Sequence, residues 1–563
     1  MPIDLMTARG QALLESGETP WQVYPRPQMK RDSYVNLNGR WDFTVSPAPD
    51  LPESYDQEIL VPFCPESQLS GLKFHPEDGN YLFYRRRFTL PEGFRKERVL
   101  LHFGAVDQET EIYVNQKHMG SHVGGYDAFV LDITDALEAE NELVVRVQDD
   151  LRTPRLPYGK QTLKRGGMWY TPASGIWQTV WLESVPQSYI EGLSIENRGA
   201  SVTISITPPL SGKVLVAGLG EFPLENGSVT ISPENPRWWN PEDPYLYEFS
   251  VETEQDRIES YFALRTLDIQ KVDGVLRLCL NGKPYFFHGL LDQGYWPDGL
   301  LTPPAPESYA DDILAMKALG FNTLRKHIKV EPEQFYYDCD RLGMVVFQDM
   351  VNNGRYSFLR DTALPTVGLQ TLPDIHLHRD PATRQAFYDA AEKTVRQLKN
   401  HPSICYWTIF NEGWGQFDSD NVFIWFKKLD DTRFVDATSG WFRRKLSDVD
   451  SRHVYFKDIK LRAEEKPLVL SEFGGYSYKP EGHVFNVEKT YGYGKFENPE
   501  EFAQAVEKLY REQVVPAYEK GLCAAIYTQV SDVEDETNGL LSYDRKVVKL
   551  PADRMQAIAQ MLK

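Results

Sequence analysis

The chain has 563 residues, too many for one compact domain; at about 150 residues per domain it holds three or four, or fewer if one is a large α/β barrel. Asp and Glu outnumber Lys and Arg by 81 to 61, a net charge of −20, which argues against nucleic acid or an anionic membrane as partner because phosphate binding needs a basic face. No apolar run approaches the roughly 20 residues that cross a bilayer, and the opening MPIDLMTARGQALLE lacks the basic-then-apolar pattern of a secretory leader, so the expected location is the cytoplasm.

The first half reads as β-structure. Runs 99–103, 110–114 and 143–147 are short, rich in β-branched residues and separated by turn formers, which predicts sandwiches rather than a parallel sheet. A first boundary falls near Pro186. The next segment, 187–268, is again strand-like and has turn signals at Glu225-Asn226-Gly227 and Asn240-Pro241. A hairpin is expected from 275–280 through Asn281-Gly282 to 285–287.

From about residue 300 the grammar changes. Ser308 is placed to cap a helix carrying Tyr309, Ile313 and Met316, stopped by Gly320 before a strand at 321–324. Segment 332–342 repeats the form, with Gly343 and a strand at 344–347. Asn498-Pro499 starts a third helix, and Gly521 precedes a strand at 523–527. Helix, glycine, buried strand is the pattern of an eight-stranded α/β barrel, and 269–563 has the length for one. The five cysteines (Cys64, Cys279, Cys339, Cys405, Cys523) are widely spaced and read as free buried thiols.

Barrel enzymes carry reactive groups at the C-terminal ends of their strands. Two places stand out. The uncharged, aromatic run 404–410 ends abruptly in Asn411-Glu412-Gly413-Trp414, and 467–470 ends in Ser471-Glu472-Phe473-Gly474-Gly475. A carboxylate just past a buried strand loses solvation, which favours the protonated form that a general acid needs. A lone glutamate there is more often a salt-bridge partner; two on one barrel can face each other across its mouth. Two carboxylates are the minimal kit for hydrolysing a glycosidic bond, and Trp296, Trp407, Trp414 and Trp441 are candidate platforms for a sugar face.

With those residues in place, the chain resembles glycoside hydrolase family two, the β-galactosidases, β-glucuronidases and β-mannosidases. The likeness runs through LNGRWDF (37–43), VPFCPES (61–67), GIWQTVWLE (175–183), RWWNPEDPYLYEF (237–249), LNGKPYFFHG (280–289), NEGW and SEFGG. It implies three domains: a sugar-binding-type jelly roll (1–186), an immunoglobulin-like β-sandwich (187–268) and a catalytic TIM barrel (269–563), with the longer members' C-terminal domains absent. It implies a retaining double displacement with Glu472 as nucleophile, Glu412 as acid/base and Asn411 on the sugar 2-hydroxyl. A tyrosine at the sixth strand end hydrogen-bonds the nucleophile in related barrels; Tyr455, near His453, either does so or is core packing.

The resemblance leaves the sugar less defined. Arg325 matches the family pattern after the second strand, whereas His327 is displaced in Arg325-Lys326-His327-Ile328-Lys329. The Asn-x-Lys pair with which family glucuronidases grip a carboxylate aligns with Glu536, Thr537 and Asn538 before Gly539. The first expectation is therefore an exo-acting β-galactosidase. The alternative is a β-hexuronidase (galacturonide or glucuronide) reading the carboxylate with Lys326 or Lys329, or with Lys160, Lys164 and Arg165 on the 159–172 loop, which is expected to reach the barrel mouth. A β-mannosidase is third. Carbohydrate or glycoconjugate is the expected partner, with self-association usual in the family. No organic cofactor is required; a bound metal is left open, and the acidic run 532–536 reads mainly as solvated surface. Substrate contacts are assigned to Asn411, Trp414, Tyr455, His327, Lys326, Arg325 and Trp441.

Overall fold

A computed structural model of the chain describes residues 3–366, 373–442, 444–455, 457–461 and 465–563. The first sandwich pairs a six-stranded antiparallel sheet, in spatial order Gln57–Val61, Gly39–Ser46, Tyr81–Phe88, Asn141–Gln148, Glu109–Val114 and Lys117–Val123, with a four-stranded sheet holding Val180–Val185 and Arg98–Phe103. Alternation buries Leu143, Val145 and Val147 on one face of Asn141–Gln148, against Trp41, Phe43 and Tyr84. The second sandwich, Gly192–Arg198 to Arg257–Phe262, has a three- and a four-stranded sheet. Arg31 locks the two together through Glu183 (3.1 Å) and Asp256 (2.7 Å), all three buried.

The barrel strands are β1 (Phe287–Asp292), β2 (Thr323–Lys326), β3 (Val345–Asp349), β4 (Ile404–Asn411), β5 (Phe434–Ser439), β6 (Asp450–Val454), β7 (Leu468–Gly474) and β8 (Leu522–Thr528). All pairings are parallel, in the order β5-β4-β3-β2-β1-β8-β7-β6, and Ser451 Oγ donates to Thr438 O (3.5 Å) across the remaining seam between β6 and β5. The glycine stops hold: Gly343 ends the helix Glu333–Leu342 with φ 74°, and Gly320 follows Glu307–Ala318 with φ 89°. Asn498 caps Pro499–Leu509 by accepting from Glu501 N (2.9 Å).

Some local expectations fail. Ser308 is not a cap; it is buried inside Glu307–Ala318, which begins after Pro306. The turn Asn281-Gly282 forms, but its return strand is Lys283–Pro284, and Phe287 already belongs to β1. Residues ahead of the first sandwich cross to the barrel: Thr7 Oγ1 donates to Asp298 (2.6 Å) and Trp21 Nε1 to Pro303 O (2.8 Å).

Trp239 fixes the second sandwich to the barrel. It is fully buried among Phe287, Phe347, Tyr406 and Val469, and its Nε1 donates to Asp340 O (2.8 Å). Trp239→Ala removes that packing and orphans a buried carbonyl, so we expect a loss of about 3–5 kcal/mol in denaturant unfolding. The neighbouring Trp238→Ala, half-buried at the start, should cost clearly less.

Candidate active site

Most groups of the site lie at a strand end, because the strands' shared tilt brings their C-termini to one rim. Arg325, at the end of β2, is buried at the centre. Its guanidinium donates to both oxygens of Asp349 (3.0 Å each), to Glu472 Oε1 (3.0 Å), to Ser471 O (3.0 Å) and to Asn411 Oδ1 (2.8 Å). A planar, always-charged donor fork suits this many acceptors in one plane. His327 pairs through Nδ1 with Asp349 (2.7 Å), so the displaced histidine joins the same network.

Glu472, within β7, is buried and receives Tyr455 Oη–H on its other oxygen; Tyr455 also bonds Thr528 Oγ1 (2.9 Å) and stacks on Tyr493 at 3.9 Å. Burial alone would raise the Glu472 carboxyl. His453, Arg325, His327 and the Tyr455 hydroxyl outweigh it and pull the group down to about 2. Glu412 follows β4, where Glu412 N donates to Ser439 O (2.9 Å), and its backbone sits in the left-handed region at φ 51°. That is an uncommon conformation for a side-chain-bearing residue and is found disproportionately at functional sites.

His453 bridges the two acids. Its Nδ1 is 2.7 Å from Glu412 Oε1, its Nε2 is 3.6 Å from Glu472 Oε1 and 3.1 Å from Ser439 Oγ. One ligand atom from each of Glu412, His453 and Glu472 lies within 4.8 Å of the others, so the two carboxylates meet over one small volume; the same three side chains could hold a divalent cation. Trp441 is half-buried, with its ring edge to His453 (5.7 Å between centroids).

Other expected contacts are spent inside the protein. Lys326 is buried between Asp292 (2.7 Å) and Glu331 (2.8 Å), and Lys329 donates to Gly294 O (2.5 Å), Leu301 O (2.7 Å) and Glu331 (2.8 Å). Neither can read a substrate carboxylate. Trp414 is buried under Trp169 and Tyr158, Trp407 packs on Phe426 and donates to Asp430 (2.9 Å), and Trp296 lies beneath Arg545. The acidic run 532–536 is not solvated surface: Asp532 pairs with Lys549 (2.6 Å), and Glu534 and Asp535 take Arg165 (3.4 and 3.5 Å). It is the dock for the 159–172 loop, whose Tyr170 hydroxyl donates to Glu536 and whose Thr171 N donates to Glu534 (2.9 Å).

Sequence reading missed Asp349, Ser439, Thr528 and Tyr493. Asp349 and Thr528 had a signal, a polar residue ending an apolar strand; Tyr493, brought in by the excursion after β7, had none.

An eight-stranded barrel with two acids meeting above β4 and β7 is joined in one chain to two β-sandwiches. Glycosyl hydrolases family 2, TIM barrel domain, matches residues 273–547; its sugar binding domain matches 71–186; and the further domain described as glycosyl hydrolases family 2 matches 193–265. The chain belongs to that family. A β-galactosidase of Thermoanaerobacter pseudethanolicus is 27% identical over 498 residues, 80% of this chain and 62% of that protein. A β-glucuronidase of Bacteroides fragilis is 24% identical over 67% of this chain and 56% of its own length. This chain thus spans under two thirds of either relative. The solved β-glucuronidase of an uncultured Clostridium sp. superposes with a TM-score of 0.74 at 20% identity, covering 96% of this chain and 99% of the other.

Tyr455→Phe removes a donor that favours the ionised Glu472. The Glu472 pKa should rise from about 2, and any acid limb that this group sets in kcat/KM should move upward with it. In the native protein Glu472 stays ionised down to about pH 2, so no acid limb from this group is expected above pH 4. A pH–rate profile of both proteins checks this.

Proposed function

We propose that the protein is a retaining, exo-acting β-glycosidase that works by double displacement. The observation that carries the reading is the approach of the Glu412 and Glu472 carboxylate oxygens to within 4.8 Å, which matches the short separation of retaining rather than inverting pairs. Glu472 is held ionised by its cationic surroundings and is the attacking group. Its oxygen bonds to the anomeric carbon as the C1–O bond to the aglycone breaks. Glu412 gives its proton to the departing oxygen, so the aglycone leaves as a neutral alcohol. In the second half, water gives a proton to Glu412 and its oxygen to C1, and Glu472 leaves as carboxylate.

His453 fits a positioning role: it holds Glu412 against Glu472 while the acid exchanges its proton. Arg325 fixes Asn411, the residue that by resemblance takes the sugar 2-hydroxyl, in register with the nucleophile. The chemistry needs no organic cofactor. For the sugar, a neutral β-hexoside, β-galactoside first, is preferred. A β-hexuronide is the second reading, favoured by one buried lysine near the site, Lys160.

Glu472→Gly should lower kcat on a nitrophenyl β-glycoside by about 10⁴-fold or more, with azide restoring turnover as an α-glycosyl azide. Unchanged turnover would refute the nucleophile. An α-configured hydrolysis product from the native protein, followed by NMR at early times, would refute retention.

A further inference from the structure

Lys160 belongs to the first sandwich's loop, yet it lies at the barrel mouth. Gly159 packs against Ile328 O just past β2, Tyr170 N donates to Lys160 O (3.0 Å), and Gln161 Nε2 anchors the loop on Asp107 (2.9 Å). Lys160 is buried, with a relative exposure of 8%. Among the described residues its ammonium makes no ion pair or hydrogen bond, whereas Lys326, Lys329 and Arg165 are all partnered. Its charge acts on two buried groups: His327, the neighbour of Arg325, and Glu536.

Glu536 is its counterpart on the barrel side. Tyr170 and Asn538 (3.3 Å) donate to its carboxylate, the strand bridge to Tyr491 places it beside the aromatic excursion after β7, and it feels the charge of Glu472. Tyr170 holds both residues, donating its N–H to Lys160 O and its hydroxyl to Glu536, and the unpaired ammonium and the carboxylate keep hydrogen-bonding capacity for a ligand between them. A hydroxyl satisfies both at once, accepting from the ammonium and donating to the carboxylate. A carboxylate satisfies only the first and meets Glu536 and Glu472 as like charges.

Resting on the retaining-glycosidase reading above, we propose that Lys160 and Glu536 form a clamp across the domain boundary that grips the hydroxyl edge of a neutral β-hexopyranoside and rejects the corresponding β-hexuronide. Both are specificity-determining residues; the bond-breaking stays with Glu412 and Glu472.

The test is a matched panel of nitrophenyl β-galactoside, β-glucoside, β-galacturonide and β-glucuronide. The native protein should show kcat/KM at least about 100-fold higher for the better neutral sugar than for its uronide. Lys160→Met should lower kcat/KM on the neutral sugar by about 30-fold, mostly through KM. The near-isosteric Glu536→Gln should narrow the neutral-to-uronide ratio by about tenfold, because it removes the repulsion and keeps the shape. Thermal melting of each variant separates a lost contact from a lost fold. A native protein that prefers a uronide overturns the clamp, as does a folded pair of variants with an unaltered ratio. An active Glu472→Gly would instead overturn the glycosidase reading itself, so the two failures are distinct.

Discussion

A guanidinium that water hardly reaches sits where the strand ends converge, and the site is arranged around it. Arg325 offers donors in one rigid plane, and Asp349, Glu472, Asn411 and a backbone carbonyl fill them. A buried cation with so many acceptors is tolerable only if all are in place. The constraint runs both ways. Asp349 neutralises the arginine enough to keep it inside, and the arginine holds Glu472 ionised despite its burial. Glu472 also depends on His453 and Tyr455, so its charge state is a property of β2, β6 and β7 together rather than of one residue.

The two sandwiches serve this rim from outside. The second is keyed to the barrel's underside by Trp239, on the far side from the chemistry. The first sends its 159–172 loop over the mouth, where buried acids receive it. The acidic run is therefore explained by a partner hundreds of residues away in the chain. That contact brings the sandwich loop that carries Lys160 against the chain just past β2.

Much of this was legible in the sequence, and the limits are physical. Glu412 and Glu472 stood out because an uncharged strand that ends in an acid has few structural excuses. Glycines at 343 and 521 marked helix stops for the same local reason, their freedom at positive φ. What failed was anything that depends on facing. Arg325 and Lys326 are adjacent, so a strand must send them to opposite sides; the first reaches the mouth and the second is caught by Asp292 and Glu331 behind it. Trp407 likewise turns to the helix Ser419–Leu429 rather than to a sugar. The run 532–536 misled because composition cannot reveal what covers it.

The left-handed backbone at Glu412 has a consequence of its own. Such a conformation costs about 1–2 kcal/mol for a residue with a β-carbon, and glycine relieves it. A glycine here would thus give the sturdier backbone, at the loss of the side chain that meets His453 and Glu472.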